Sequence, residues 1–208
     1  MAHFAGRPTP VMSPDDALAL LQEGNRRFLR GESVSQAASL PEHLAQLAQA
    51  QRPFCVLVGC SDSRVSPELL FGRSLGELFI VRNAGNVVDL AAMGSIEYGV
   101  AVLGAPLVLV LGHERCGAVQ AAVDVVEHDA SFPGSIGQMI EPIIPAVLRA
   151  RREGSHDLLD RAVRGNVQRV VERLRTTEQM LMEPLREGTL RIVGARYDLD
   201  DGSVEFFD

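Results

Sequence analysis

The stretch Phe54-Cys55-Val56-Leu57-Val58-Gly59-Cys60-Ser61-Asp62-Ser63-Arg64 decides how the chain is read. Its first six residues are mostly apolar and end in glycine, the pattern of a strand buried on both faces of a parallel sheet. A thiol, a carboxylate and a guanidinium then follow at alternate positions. A second run, Pro106-Leu107-Val108-Leu109-Val110-Leu111-Gly112, has the same design and opens into His113-Glu114-Arg115-Cys116-Gly117. Ligands of the zinc type therefore leave the ends of two buried strands. In open α/β sheets, sites form beyond the carboxyl ends of strands, so topology can close the sequence gap between Cys60 and His113.

Working outward, residues 1–12 read as a loose arm containing Pro8 and Pro10. Ser13 caps a helix with Pro14, Asp15 and Asp16 in its first turn; Leu18, Leu21 and Phe28 share one face, and Gly31 is its stop. Helices are expected over 41–49, 90–103, 116–127, 136–152, 156–175 and 179–186, with Pro184 bending the last. Strands are expected over 77–81, 190–199 and 203–207, the last two joined by the turn Asp200-Asp201-Gly202. Arg82-Asn83-Ala84-Gly85-Asn86 reads as a turn. Strands alternating with helices imply right-handed parallel crossovers. The expected fold is α/β: a central, mostly parallel sheet of four strands plus an antiparallel C-terminal edge strand, flanked by helices. One domain is expected over 1–208, with 1–50 as an N-terminal helical arm.

Composition supports a globular chain. Among 208 residues, 46% are hydrophobic and 23% charged. Twenty basic residues against 27 acidic give a net charge of −7, with no basic block, which argues against nucleic acid and anionic membrane as partners. No apolar stretch reaches the roughly 20 residues that span a bilayer. The N-terminus lacks a signal-peptide core, so a cytoplasmic protein is expected. Three cysteines cannot all pair within one chain; Cys55 reads as a buried strand residue, whereas Cys60 and Cys116 sit past strand ends beside polar groups.

Cys60, His113 and Cys116 form a donor set for zinc, which takes thiolate and imidazole in tetrahedral sites. Closed structural zinc sites draw on CxxC pairs in small domains; this chain is large and has none, so a catalytic site is the stronger reading. Asp62 has two roles open to it. As a fourth ligand it closes the site; paired with Arg64 it leaves a position open and, ionised, can accept a hydrogen bond from metal-bound water and orient it. Two thiolates neutralise the zinc charge and acidify bound water less than three imidazoles do, so activity is expected to rise toward alkaline pH.

Cys60-Ser61-Asp62-Ser63-Arg64, Arg82-Asn83-Ala84-Gly85-Asn86 and Gly112-His113-Glu114-Arg115-Cys116-Gly117 resemble the β-class carbonic anhydrases. The resemblance extends from Glu23-Gly24-Asn25-Arg26-Arg27-Phe28 to Tyr197-Asp198-Leu199-Asp200-Asp201-Gly202. It implies zinc on Cys60, His113 and Cys116, with Asp62 as a ligand only in a closed state, and Asp62 and Arg64 as the catalytic dyad. It also implies Gln51, Phe79 and Tyr98 in the substrate pocket. Ala84 stands where plant-type members carry valine. The implied reaction is reversible hydration of carbon dioxide to bicarbonate by metal-bound hydroxide. The implied assembly is a homodimer or tetramer whose pockets draw on both subunits, with the helix around Leu18 to Phe28 as a partner-embracing arm. A carbon disulfide hydrolase on the same scaffold and a catalytically silent zinc-binding protein are the alternatives.

Overall fold

A computed structural model describes residues 7–32, 44–45, 47–154, 156–176 and 179–207. The helix expected over 41–49 falls partly outside them; residues 44, 45 and 47 are helical.

Five strands form one sheet: β1 (Cys55–Cys60), β2 (Leu78–Asn83), β3 (Leu107–His113), β4 (Arg191–Tyr197) and β5 (Val204–Phe207). Their order is β2-β1-β3-β4-β5. The first four pair in parallel, and β5 runs antiparallel to β4. Every residue of β1 and β3 is buried, which explains their unbroken apolar character. Alternation sends Cys55, Leu57, Leu107 and Leu109 to one face and Val56, Val58, Val108 and Val110 to the other.

Helix α1 (Pro14–Leu29) begins as expected, with Ser13 Oγ accepting the Asp16 N–H at 3.1 Å. Its Ala17, Leu18 and Leu21 pack against Phe54, Leu57 and Phe71 of the same chain. Asn25 is buried, donating to Gly202 O at 3.0 Å and accepting from Val204 N at 3.0 Å. The N-terminal helix is therefore docked on its own sheet and tied to the β4–β5 hairpin. A one-turn helix, α2 (Pro67–Leu70), precedes β2.

On the opposite face lie α3 (Leu90–Glu97), α4 (Gly117–His128), α5 (Ser135–Ile140), α6 (Ile144–Arg152), α7 (Leu158–Thr176) and α8 (Gln179–Arg186). Several boundaries differ by one or two residues from the sequence reading, and three differences have a local cause. Helix α3 passes into a π-helical turn over Tyr98–Val102, where Leu103 N donates to Tyr98 O at 3.1 Å. The helix expected over 136–152 breaks at Glu141–Ile143, where Pro142 lacks an N–H to donate. Strand β2 runs two residues further than expected, because Arg82 and Asn83 pair with Gly59 and Cys60 despite their polarity.

The chain leaves β1 to one side for β2, then crosses to the other side for β3. The crevice between β1 and β3 is thus a topological switch point, where ligands collect in open α/β sheets. Cys60 ends one of these strands and His113 the other.

Candidate metal centre

The carboxyl ends of β1 and β3 bring Cys60, His113 and Cys116 together, with their ligand atoms all within 4.8 Å of one another. Cys60 and Cys116 sulfurs are 3.9 Å apart. His113 is fully buried; its Nδ1 lies 2.9 Å from Glu114 O. A carbonyl only accepts, so Nδ1 carries the proton and Nε2 presents a lone pair. That Nε2 is buried without a hydrogen-bond partner. Arg115, at φ 49°, turns the chain sharply so that Cys116 caps the amino end of α4, where the helix dipole favours a thiolate.

The two sulfurs lie within hydrogen-bond distance of each other, and either can donate. Cys60 is held below the ordinary thiol range, first by its hydrogen bond with Cys116 and then, against burial, by backbone N–H groups including that of Gly85. Cys116 is pushed up by the same shared bond and by burial. A dication would take both sulfurs as thiolates and remove the competition between them. Zinc–sulfur bonds of about 2.3 Å in a tetrahedral shell place two thiolates roughly 3.8 Å apart, close to the 3.9 Å found here. The unpaired Nε2 supplies a third ligand, so these residues fit zinc.

Asp62 faces Arg64. Its Oδ1 accepts from Arg64 N and Nε, both at 2.9 Å, and its Oδ2 from Nη2 at 2.7 Å. The same Oδ2 lies 3.8 Å from His113 Nε2. Asp62 is held well below the usual carboxylate range, chiefly by Arg64's side-chain hydrogen bonds. Arg64 Nη2 also donates to Arg115 O at 3.2 Å, so the dyad is braced against the turn that carries Cys116.

Gln51, Phe79 and Tyr98 lie elsewhere. Gln51 and Tyr98 are exposed and border one cleft, and the Tyr98 ring centroid is 6.1 Å from that of Phe79. Phe79 pairs with Val56, four positions before Cys60 pairs with Asn83. At the ordinary strand rise that is about 13 Å toward the amino-terminal end of the sheet. The chain does not bring these three residues to its metal cluster.

The sequence reading missed three supports. Arg82 donates to the carbonyls of Cys60, Asp62 and Val65, each at 2.9 Å, and so holds the 60–65 loop. Asn166, on α7, donates to Gly85 O at 2.9 Å; its signal was a polar residue inside an otherwise apolar helix face. The Glu114 carboxylate accepts the Leu199 N–H at 3.2 Å and lies 3.7 Å from Arg196. Glu114, Asp198 and Asp200 form a second carboxylate group, but Arg115 pairs with Asp200 at 2.7 Å and Arg196 with Asp198 at 2.9 Å, so it is an ion-pair network.

Comparison with known proteins accords with this geometry. The family model described as carbonic anhydrase matches residues 55–204. Carbonic anhydrase 2 of Mycobacterium tuberculosis (strain CDC 1551 / Oshkosh) is 42% identical over 200 residues, covering 96% of this chain and 95% of that protein. The structure of the β-carbonic anhydrase CcaA superposes with a TM-score of 0.73 at 27% identity, covering 92% of this chain and 95% of the other. A tetrameric β-carbonic anhydrase of the ascomycete Sordaria macrospora reaches 0.74 at 23% identity, covering 92% and 97%, a likeness of fold alone. With its zinc-type cluster at the strand ends and these matches along nearly its whole length, the chain belongs to the β-class carbonic anhydrase family.

Proposed function

We infer that the chain catalyses the reversible hydration of carbon dioxide to bicarbonate, with zinc held by Cys60, His113 and Cys116. When bound, zinc would supply a Lewis acid that acidifies water and makes it nucleophilic. The protein's own residues do the rest. The His113 tautomer is set by Glu114 O, which aims Nε2 at the metal position. Asp62, ionised and pinned by Arg64, offers a carboxylate oxygen at the rim of the cluster, where it can accept a proton's hydrogen bond and orient the attacking water. The observation that carries this reading is that Asp62 faces Arg64, which leaves three protein ligands and one position for chemistry.

Gln51, Phe79 and Tyr98 complete the pocket of a neighbouring subunit in the same reading, supported by their gathering at the far end of the sheet. A homodimer or a tetramer follows; the Sordaria macrospora relatives are tetrameric. The three cysteines are unpaired with one another, which agrees with a reducing cytoplasm, and no helix among the described residues is long and apolar enough to cross a membrane.

Stopped-flow carbon dioxide hydration on protein of measured zinc content tests this. Turnover proportional to zinc is expected, and Asp62→Ala should lose turnover while retaining metal on the other three ligands. A fully zinc-loaded protein with no activity at any pH overturns it. An Asp62→Ala variant with unchanged turnover removes the dyad.

A further inference from the structure

Helix α7 buries Val163, Val167, Val170 and Leu174, and Asn166 interrupts that apolar face while being buried itself. An amide in such surroundings is unfavourable unless it is hydrogen-bonded. Its Nδ2 donates to the carbonyl of Gly85, 81 positions away, at 2.9 Å. Gly85 has φ 78°, a left-handed conformation, and its own N–H points at Cys60 Sγ at 3.2 Å. The turn has little room: a Cβ on Gly85 would lie 2.8 Å from Ile143 Cδ1 and 2.9 Å from Ala118 Cβ. One side chain on a helix thus fixes a residue whose backbone N–H donates to a ligand sulfur.

We propose that Asn166 is a positioning residue for the metal centre: it locks the Gly85 turn so that the Gly85 N–H stays aimed at the Cys60 sulfur. The proposal rests on Cys60 being a zinc ligand. A hydrogen bond from N–H to a metal-bound thiolate draws electron density from sulfur and fixes its lone pairs, which tunes how strongly the metal polarises its open position. The alternative is that Asn166 anchors the turn for packing alone.

Cobalt(II) in place of zinc separates the two, because sulfur-to-cobalt charge transfer absorbs in the near ultraviolet. Asn166→Leu removes the donor with an apolar side chain, and Asn166→Asp replaces it with an acceptor of the same shape. Both should move the charge-transfer band to longer wavelength and raise the zinc dissociation constant, measured by chelator competition, by about 10- to 100-fold. Val170→Ala, one turn further along the same buried face, is the packing control; it should lower thermal stability and leave band and zinc affinity unchanged. Asn166 variants that behave like Val170→Ala overturn the proposal. If neither variant folds, the wild-type protein carries the test: loaded with a spin-active cadmium isotope, the Gly85 amide proton should couple to the metal through the sulfur, and absence of that coupling overturns the proposal. Wild-type protein that takes up no zinc overturns the metal assignment instead, whereas zinc-replete wild type with unperturbed Asn166 variants removes only the role of Asn166.

Discussion

At the scale of single residues, the pairing of Asp62 with Arg64 has a pH consequence. The carboxyl is held below its usual range by the Arg64 side chain first, with the Arg64 backbone N–H adding to it against some desolvation. A carboxylate with a depressed folded value stabilises the fold above the ordinary carboxylate pKa, about 4, and loses that contribution only as pH falls through the lower folded value. From about pH 6 to about pH 9 Asp62 therefore stays charged and is not the group behind an alkaline rise in activity. Asp62→Asn should lower kcat on the order of 100-fold through lost orientation, keep stoichiometric zinc, and still gain activity toward alkaline pH. A flat pH profile in the zinc-loaded variant would assign the alkaline rise to Asp62 and sink this account. Cys60, Asp62, Arg64, His113 and Cys116 were legible in the sequence because their chemistry lies in the side chain itself. The roles of Arg82 and Asn166 were not, even though Asn166 stands out on an apolar helix face, because each acts on backbone carbonyls whose place depends on the whole fold.

At the scale of elements, the site depends on how closely α7 approaches β3 and on how the β4–β5 hairpin grips the turn after β3. A Cβ on Gly112 would fall 2.6 Å from Val167 Cγ2 and 3.2 Å from Val163 Cγ1. Gly112→Ala should push α7 outward and cost about 1–3 kcal/mol in urea denaturation. Gly112→Ala with Val167→Ala should recover part of that loss; a single variant as stable as wild type would show the contact to be soft. The hairpin acts through Glu114, whose carboxylate takes the Leu199 N–H and faces the mostly buried Arg196. Glu114→Ala leaves that N–H without its acceptor and should destabilise by about 1–3 kcal/mol, with zinc affinity falling in step as the His113–Cys116 turn loosens. Unchanged melting would remove the hairpin from the support of the site. The sequence pattern located β1, β3, the α1 cap and the hairpin correctly, since burial and capping write themselves into residue type. It stopped β2 early because Arg82 and Asn83 carry no apolar signal, and the π turn at Tyr98 left no signature because it is a choice between neighbouring backbone carbonyls.

At the scale of the molecule, metal and assembly are the two couplings that matter. Chelation leaves His113 Nε2 buried without a partner and the two buried sulfurs without the ion between them, so Tm should fall on zinc removal and climb with free zinc concentration, as linkage requires; a Tm indifferent to zinc would place the metal elsewhere. The proposed assembly would use the sheet's open edge. Strand β2 lies at that edge with Leu78, Phe79, Ile80 and Val81 only half-buried, and beside it Leu90 is 89%, Tyr98 47% and Val102 40% exposed. This apolar surface includes Tyr98 and Phe79, the latter about 13 Å along the sheet from the cluster of its own chain. A second copy docked on this face would cover the leucine and valine and, on the reading proposed above, carry Phe79 and Tyr98 toward its metal centre. Leu90→Asp places a charge on the most exposed of these side chains without touching the cluster, Asp62 or Arg64. Light scattering should show it shifted toward monomer, chelator competition should show zinc affinity intact, and kcat/KM should fall in proportion to the monomer fraction and recover at high protein concentration. A monomeric Leu90→Asp with wild-type kcat/KM would mean that each subunit is complete alone, and Gln51, Phe79 and Tyr98 would then have no part in the pocket.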